Sequence, residues 1–410
     1  GFFDPEKIVP DIRPNPESGT VDIDYQLVEK SSSQFDLSGG IGGGYVIFQA
    51  GISLTNFSTQ KFFDKKAWNP FPIGDGQKLS LRVQTNGDYY HAVSLSFTEP
   101  WLGGRKPNAL SVGVYYSYQD DGFWNTTGTS EYYIGILGGS VSLATRLKWP
   151  DDYFTFVHGL AYQQYNVKNY TTLTAMPTGI SNNINYNFTL ARNSVDQLIY
   201  PRQGSDISLA AQMTFPYSLV NGKDYSSLSP AERYKWLEYY KINFRAAWYF
   251  NLFDDLVVST RARFGFLGQY NSKVGYSPFE RFYLGGDGLT GYQLDGRELV
   301  ALRGYDESSL SPDGGGMVFD KYTMELRYPI TLNEGASVYA LAFFEAGNSW
   351  ANFQSFEPFK MYRSVGVGLR IFMPMFGLLG VDWGYGLDAI PGDPTASGSH
   401  FHISINNSID

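Results

Sequence analysis

The chain has no cysteine, so a disulfide framework and thiol chemistry are both excluded, and redox usage assigns no compartment. Its four histidines are too scattered for metal-ligand spacing. Charge is scarce as well: Asp, Glu, Lys and Arg make up 17% of 410 residues, below the ~25% usual in soluble domains. Long apolar runs are also missing. None approaches the roughly 18 to 20 residues that a spanning helix needs, and mean hydropathy is −0.25, so membrane helices are excluded. What is abundant is ring and glycine: aromatics reach 17%, and there are 45 glycines. Low charge, many aromatics and no helical span suit a transmembrane barrel, whose lipid face and polar lumen cancel in any sliding average. A soluble all-β protein is the plainer alternative. The net charge of −9 argues against nucleic acid as a partner. Length alone would allow two or three domains, but barrels run long as single units.

Residues 1–31 differ from the remainder of the chain. Pro5, Pro10, Pro14 and Pro16 precede one charged strand, Val21-Asp22-Ile23-Asp24-Tyr25-Gln26-Leu27-Val28-Glu29, with Val21, Ile23, Tyr25 and Leu27 on one face. A lone amphipathic strand without partners is expected of the tail of a small soluble domain. No signal peptide is present, and the abrupt Gly1-Phe2-Phe3-Asp4-Pro5 opening is expected of a piece of a longer precursor.

From Gln34 onward, period-two stretches recur between Gly, Asn, Asp and Pro clusters. Val93, Leu95 and Phe97 alternate with Ser94, Ser96 and Thr98; Met324, Leu326 and Tyr328 alternate with Thr323, Glu325 and Arg327. The polar face is small, hydroxylic or basic, and the apolar face often ends in a ring, as an interfacial girdle requires. Sandwich strands alternate too but average about five or six residues, whereas strands of roughly nine to eleven suit a bilayer. The pattern gives sixteen candidate strands: 34–42, 45–56, 78–86, 89–99, 108–119, 131–147, 153–166, 183–193, 206–216, 238–250, 255–268, 318–330, 336–346, 361–373, 377–387 and 399–407. The fold class expected is all-β, a 16-stranded antiparallel transmembrane β-barrel over 32–410. An even count puts both barrel termini on one side; taking that side as periplasmic, 269–317 is the sixth extracellular loop and 57–77 a long periplasmic turn.

No enzyme constellation is present: no Gly-x-Ser-x-Gly elbow, no His-Glu-x-x-His, and no phosphate loop followed by Lys and Ser or Thr. The chain is therefore not expected to be an enzyme or to hold a cofactor. Gly39-Gly40-Ile41-Gly42-Gly43-Gly44 has no helical pattern after it and reads as a flexible strand end rather than a phosphate cradle. His400 and His402 share a strand face without a third ligand and read as polar lumen residues. The long segment 279–316 holds more information. Gly285-Gly286 and Gly304 permit φ > 0 or a close backbone approach beside Phe282, Tyr283 and Tyr305. Arg303 at a loop tip is ordinarily solvated, but a loop folded into a lumen presents its guanidinium to wall carboxylates. Glu345, ending Tyr339-Ala340-Leu341-Ala342-Phe343-Phe344-Glu345, is the candidate partner, with Gly347 beyond it leaving room for the tip. A simple Arg303–Glu345 pair predicts that reversing both charges restores more than either single reversal.

At these residues the sequence resembles the BamA family of outer-membrane β-barrel assembly insertases, in the superfamily with periplasmic POTRA domains. The resemblance runs through essentially the whole chain. Residues 1–31 are similar to the C-terminal end of the last POTRA domain, a small periplasmic α/β unit. Phe282-Tyr283-Leu284-Gly285-Gly286 and Arg303-Gly304-Tyr305 resemble the sixth-loop motif. Phe343-Phe344-Glu345-Ala346-Gly347 resembles the wall segment whose acid pairs with that loop's arginine, with Phe343 and Glu345 as wall partners. Tyr200-Pro201-Arg202-Gln203-Gly204-Ser205 resembles a periplasmic Pro-x-x-Gly turn. Two departures stand out. The family's triplet follows its glycine pair closely, where this chain has Thr290-Gly291-Tyr292, and the terminus Ile405-Asn406-Asn407-Ser408-Ile409-Asp410 lacks the usual last aromatic.

The resemblance implies a protein of the bacterial outer membrane of a Gram-negative cell, with its N-terminal region periplasmic. It further implies that nascent outer-membrane β-barrel proteins are the substrates. Accessory outer-membrane lipoproteins, periplasmic chaperones and the lipid bilayer are the implied partners. Insertion would run through a lateral gate between the first and last strands, at Gly39, Gly40 and Gly42 on one side and His400, His402 and Ile403 on the other. The glycines weaken packing, and a loose edge templates an incoming strand. The rival readings are a related transporter passing polypeptide through the lumen, and a passive porin.

Overall fold

The computed structural model describes residues 9–15, 19–26, 33–42, 45–68, 71–87, 89–120, 132–170, 175–288, 297–333, 336–373 and 377–405. The opening residues, Thr290-Gly291-Tyr292 and everything from Asn406 onward therefore lie outside the described residues.

Two strands come first, β1 (Val9–Asn15) and β2 (Thr20–Gln26), paired with each other and forming a separate two-stranded sheet. The strand at 21–29 is thus not alone, as its sequence suggests. Its partner carries Pro10 and Pro14, opposite Tyr25 and Val21, two positions of the same parity. Proline donates no N–H, so it survives in a ladder where that group would face away from the neighbouring strand.

All sixteen candidate runs form strands of a second sheet. They are β3 (Ser33–Gly42), β4 (Tyr45–Phe57), β5 (Gln77–Thr85), β6 (Tyr90–Glu99), β7 (Asn108–Asp120), β8 (Tyr133–Arg146), β9 (Phe154–Lys168), β10 (Gly179–Asn193), β11 (Gly204–Thr214), β12 (Tyr240–Phe253), β13 (Leu256–Gly268), β16 (Val318–Asn333), β17 (Ala336–Trp350), β18 (Tyr362–Met373), β19 (Gly377–Gly386) and β20 (Ser399–Ile405). Each pairs antiparallel with its sequence neighbours, so the order in space is the order in the chain, and β3 and β20 are the two edges. Among the described residues no ladder joins those edges. The remaining strands, β14 (Phe282–Leu284) and β15 (Glu298–Val300), belong to the long connection between β13 and β16.

Register explains why these sequences fold this way. Leu81, Leu95 and Val114 are directly opposed across β5, β6 and β7, as are Val83, Val93 and Tyr116, and all six side chains are exposed. One position along, Ser80, Ser96 and Gly113 form a small polar row on the other face. Period two thus gives one apolar exterior and one polar interior, and contiguous apolar rows on this scale belong in lipid rather than water. No helix among the described residues is long and apolar enough to cross a membrane, so the crossing falls to strands. The chain's main buried apolar cluster is on the inner face and is built around the long connection. Phe282, Leu284, Val300, Leu302 and Tyr305 pack there with Ile134 of β8, Tyr165 and Val167 of β9, and Phe319 of β16.

Candidate functional site in the barrel lumen

The connection 269–317 re-enters the sheet instead of standing in solvent. Its two short strands pair in parallel, Phe282 with Glu298 and Leu284 with Val300, and Phe282, Leu284 and Val300 are fully buried. Gly285 and Gly286 follow β14 at φ +128° and +72°, conformations that favour glycine. Their backbone closes the loop on itself: Gly285 N donates to Val300 O at 3.0 Å, and Leu302 N donates to Gly286 O at 3.0 Å. The two halves of the motif, far apart in sequence, are thereby placed side by side, and 301–305 becomes a rigid tip.

Arg303 is the residue that tip delivers, and it is fully buried. One guanidinium nitrogen, Nη2, lies 2.9 Å from both Glu345 Oε1 and Glu325 Oε1, while Nη1 donates to Asp382 Oδ1 at 3.3 Å. The Arg303 backbone N–H also donates to Glu345 Oε2 at 2.9 Å, so the Glu345 carboxylate holds both the side chain and the main chain of the tip. Beneath the guanidinium plane, 3.5 Å away, lies the ring of Phe343, an attractive cation–π placement. Burial alone would favour losing the proton, but Glu345, Glu325 and Asp382 together hold the Arg303 pKa above its ordinary value.

The expected Arg303 and Glu345 do meet, but as part of a larger array. Lys321 Nζ is 3.0 Å from Glu345, Arg327 and Arg261 each lie 2.6 Å from Glu325, and Arg370 lies 2.9 Å from Asp382. Glu325, Asp382 and Lys321 were not singled out by sequence reasoning. Their signal was present: each is a charged residue on the inward parity of its strand, but parity reports the face and not the depth at which a loop will meet it.

Beyond Arg303 the tip runs against the last two strands. Gly304 has φ +87°, and a Cβ on it would lie 2.6 Å from Gly386 N; a Cβ on Gly384 would lie 2.7 Å from Gly304 N. Loop and β19 therefore touch backbone to backbone. The Gly304 N–H donates to His402 Nε2 at 3.0 Å, and His400 Nδ1 is 3.3 Å from Asp306. Tyr305 is fully buried, donates its hydroxyl to Arg363 O at 2.7 Å, and has its pKa pushed up by burial to about 12. Gly347 faces the tip as expected, since a Cβ there would sit 3.0 Å from Leu302 Cδ1. The gate candidates are distributed differently. Gly39, Gly40 and Gly42 pair with Phe48, Ile47 and Tyr45 of β4, while His402 faces inward and Ile403 outward on β20; no ladder among the described residues brings the two groups together.

Replacing Gly304 is expected to undock the tip. Gly304→Ala forces an L-residue into the left-handed region and against the β19 backbone, a strain of about 1 to 3 kcal/mol. Limited proteolysis of the purified protein should show cleavage within 269–317 that the parent resists; a parent-like digest would count against the close approach.

Residues 73–408 match the model of the Omp85 superfamily domain, most of the sixteen-stranded sheet together with the lumen loop. The chain belongs to the Omp85 superfamily. Within it, the chain is 23% identical over 357 residues to the outer membrane protein assembly factor BamA of Neisseria meningitidis serogroup B, a match covering 82% of this chain and 40% of that protein. The chain thus spans less than half the length of that curated relative. Among solved structures, BamA from Haemophilus ducreyi lacking POTRA domains 1–3 superposes with a TM-score of 0.64 at 18% identity, over 98% of this chain and 75% of that one. CdiB from Acinetobacter baumannii superposes with a TM-score of 0.51 at 15% identity, over 97% of this chain and 65% of that one. The sixteen-stranded Omp85 sheet is therefore a BamA-like barrel, and family and fold together place it in the outer membrane. In this Omp85 chain the turn at Tyr200-Pro201-Arg202-Gln203-Gly204-Ser205 is also tightly held, with Tyr200 buried and its hydroxyl donating to Asp255 O at 2.9 Å and Arg327 O at 3.0 Å.

Proposed function

We propose that this chain is the membrane part of an outer-membrane assembly insertase, which folds nascent β-barrel proteins through the seam between β3 and β20. The observation that carries the reading is the sheet order. Every other neighbouring pair of strands in the sheet is joined by a connecting segment, whereas β3 and β20 are its edges, with backbone groups available to an incoming strand. An edge of this kind templates a hairpin by β-augmentation, and no nucleotide or metal enters such a mechanism. The inner face adds support. The tip of the lumen loop is anchored in a buried charge array and reaches β20 through His402, so the loop braces the wall beside the seam.

In this reading the N-terminal side of the sheet is periplasmic, 269–317 is extracellular loop 6, and residues 1–31 end a POTRA domain. Unfolded outer-membrane proteins delivered by periplasmic chaperones are the substrates, and accessory lipoproteins are the partners. The similarity to an assembly factor over most of this chain supports each of these assignments. The test is reconstitution of the full chain in proteoliposomes with a urea-unfolded outer-membrane barrel, followed by protease protection. Acceleration of folding over empty liposomes is the expected result. Ion conductance with no acceleration would leave a passive porin, and passage of unfolded polypeptide into the vesicle without its insertion would leave a lumen transporter.

A further inference from the structure

Three consecutive turns at one end of the sheet share a composition that the assembly reading does not use. They connect β4 to β5, β6 to β7 and β8 to β9, and all lie at the end where the chain enters β3. Three of the chain's eight tryptophans lie in them, and all three are exposed: Trp68 at 43%, Trp101 at 53% and Trp149 at 82%. Each stands beside exposed basic residues, Lys65 and Lys66 in the first turn, Arg105 and Lys106 in the second, Lys148 in the third. Among the described residues none of these five cations is in an ion pair. Of the acids in the same turns, Asp64 accepts from Lys66 N at 3.0 Å, Asp75 accepts from Ser58 Oγ at 2.5 Å and Asp151 pairs with Arg192 at 2.9 Å, while Asp152 is exposed.

The first turn is the most developed. It is folded, with Phe57 paired to Ile73 and the Trp68 indole N–H donating to Phe62 O at 2.9 Å, and it presents Phe63, 92% exposed, at its tip. Exposed rings at strand ends, next to unpaired cations in a chain of net charge −9, match the boundary between acyl chains and anionic headgroups.

We propose that these three turns form an anchor for an anionic phospholipid leaflet on the N-terminal side of the membrane. The rings enter the headgroup boundary and the five cations meet lipid phosphates. Tryptophan is confined to this part of the end: residues 194–203, 254–255, 334–335 and 374–376, which link the later strands at the same end, hold none. The anchor therefore lies beside edge strand β3.

The inference rests on the bilayer placement of the sheet and not on the assembly reading, so its test reads lipid contact alone. The native chain has no cysteine. Phe63→Cys, Trp101→Cys and Trp149→Cys, and Lys223→Cys at the opposite end as a reference, each accept one environment-sensitive fluorophore. The full chain is placed in nanodiscs of phosphatidylcholine with or without roughly one-third phosphatidylglycerol. Each variant is first checked for the heat-dependent mobility shift of a folded barrel. A lipid spin-labelled near the headgroup should quench the three turn positions at least twofold more than position 223. Removing phosphatidylglycerol, or combining Lys65→Gln and Lys66→Gln, should reduce quenching at position 63 by half or more. Water-like emission at all three turn positions overturns the anchor, as does quenching that ignores lipid charge. Shielding that arises only when soluble partner proteins are added would replace the lipid with a protein and overturn it equally.

Discussion

Arg303→Ala is expected to free the tip of the lumen loop and, in the proposed assembly role, to lower activity by well over tenfold. Removing one member of a buried ion pair costs about 3 to 5 kcal/mol because a charge is left unmatched. Here the cost falls toward the lower figure, since each carboxylate keeps another cation: Lys321 for Glu345, Arg261 and Arg327 for Glu325, Arg370 for Asp382. A loss of about 3 kcal/mol still shifts the docking equilibrium by roughly two orders of magnitude, at 1.4 kcal/mol per tenfold. Arg303→Lys should recover only part of this, because an ammonium cannot span three carboxylates as a planar fork does. The same geometry reverses the expectation drawn from a simple pair. A glutamate at 303 would face Glu325 and Asp382 as well as position 345, so the double exchange Arg303→Glu with Glu345→Arg is expected to rescue nothing. Folding rates in proteoliposomes and protease cleavage within 269–317 check both statements together. Full activity with an undocked loop would separate the array from function.

If assembly runs through the β3/β20 seam as proposed, a covalent tether across that seam is expected to abolish it reversibly. In the cysteine-free chain, paired substitutions scanning residues 34–42 of β3 against 400–405 of β20 can be oxidised without competing thiols, and the pairs that close report the register by their geometry. Reduction should restore the rate. A tether inside the wall, for example between the directly opposed Val157 and Thr189 of β9 and β10, should change little. Undiminished assembly with the seam quantitatively closed would refute lateral opening and favour passage through the lumen.

Much of this architecture is written in period two. Where a strand has lipid on one face and a polar lumen on the other, as in Val93 to Thr98, alternation alone finds it, and all sixteen wall strands were found this way. Strand β1 was hidden because Pro10 and Pro14 read as breakers, and only its pairing with β2 shows that both occupy tolerated positions. The meeting of Arg303 with Glu345 was legible because Gly304 and Tyr305 mark a tight tip and Glu345 is the one charge after the apolar run 339–344. Asp382 was not, since its partnership depends on the curvature that brings β19 round to a loop 79 residues earlier in the chain. His402 read as one polar residue among several; its role as acceptor for Gly304 N–H needs the backbone contact that Gly384 and Gly386 permit.

The contact between Gly304 and His402 ties two equilibria into one thermodynamic cycle. One is the seating of the loop in its carboxylate nest; the other is the pairing of β20 with β19. Because free energy is a function of state, whatever factor the seated loop contributes to holding β20 in place, β20 in place contributes to seating the loop. Anything that draws β20 away from β19 therefore loosens the loop by that same factor without touching it, and a ligand or antibody that lifts the loop weakens the hold on the last strand.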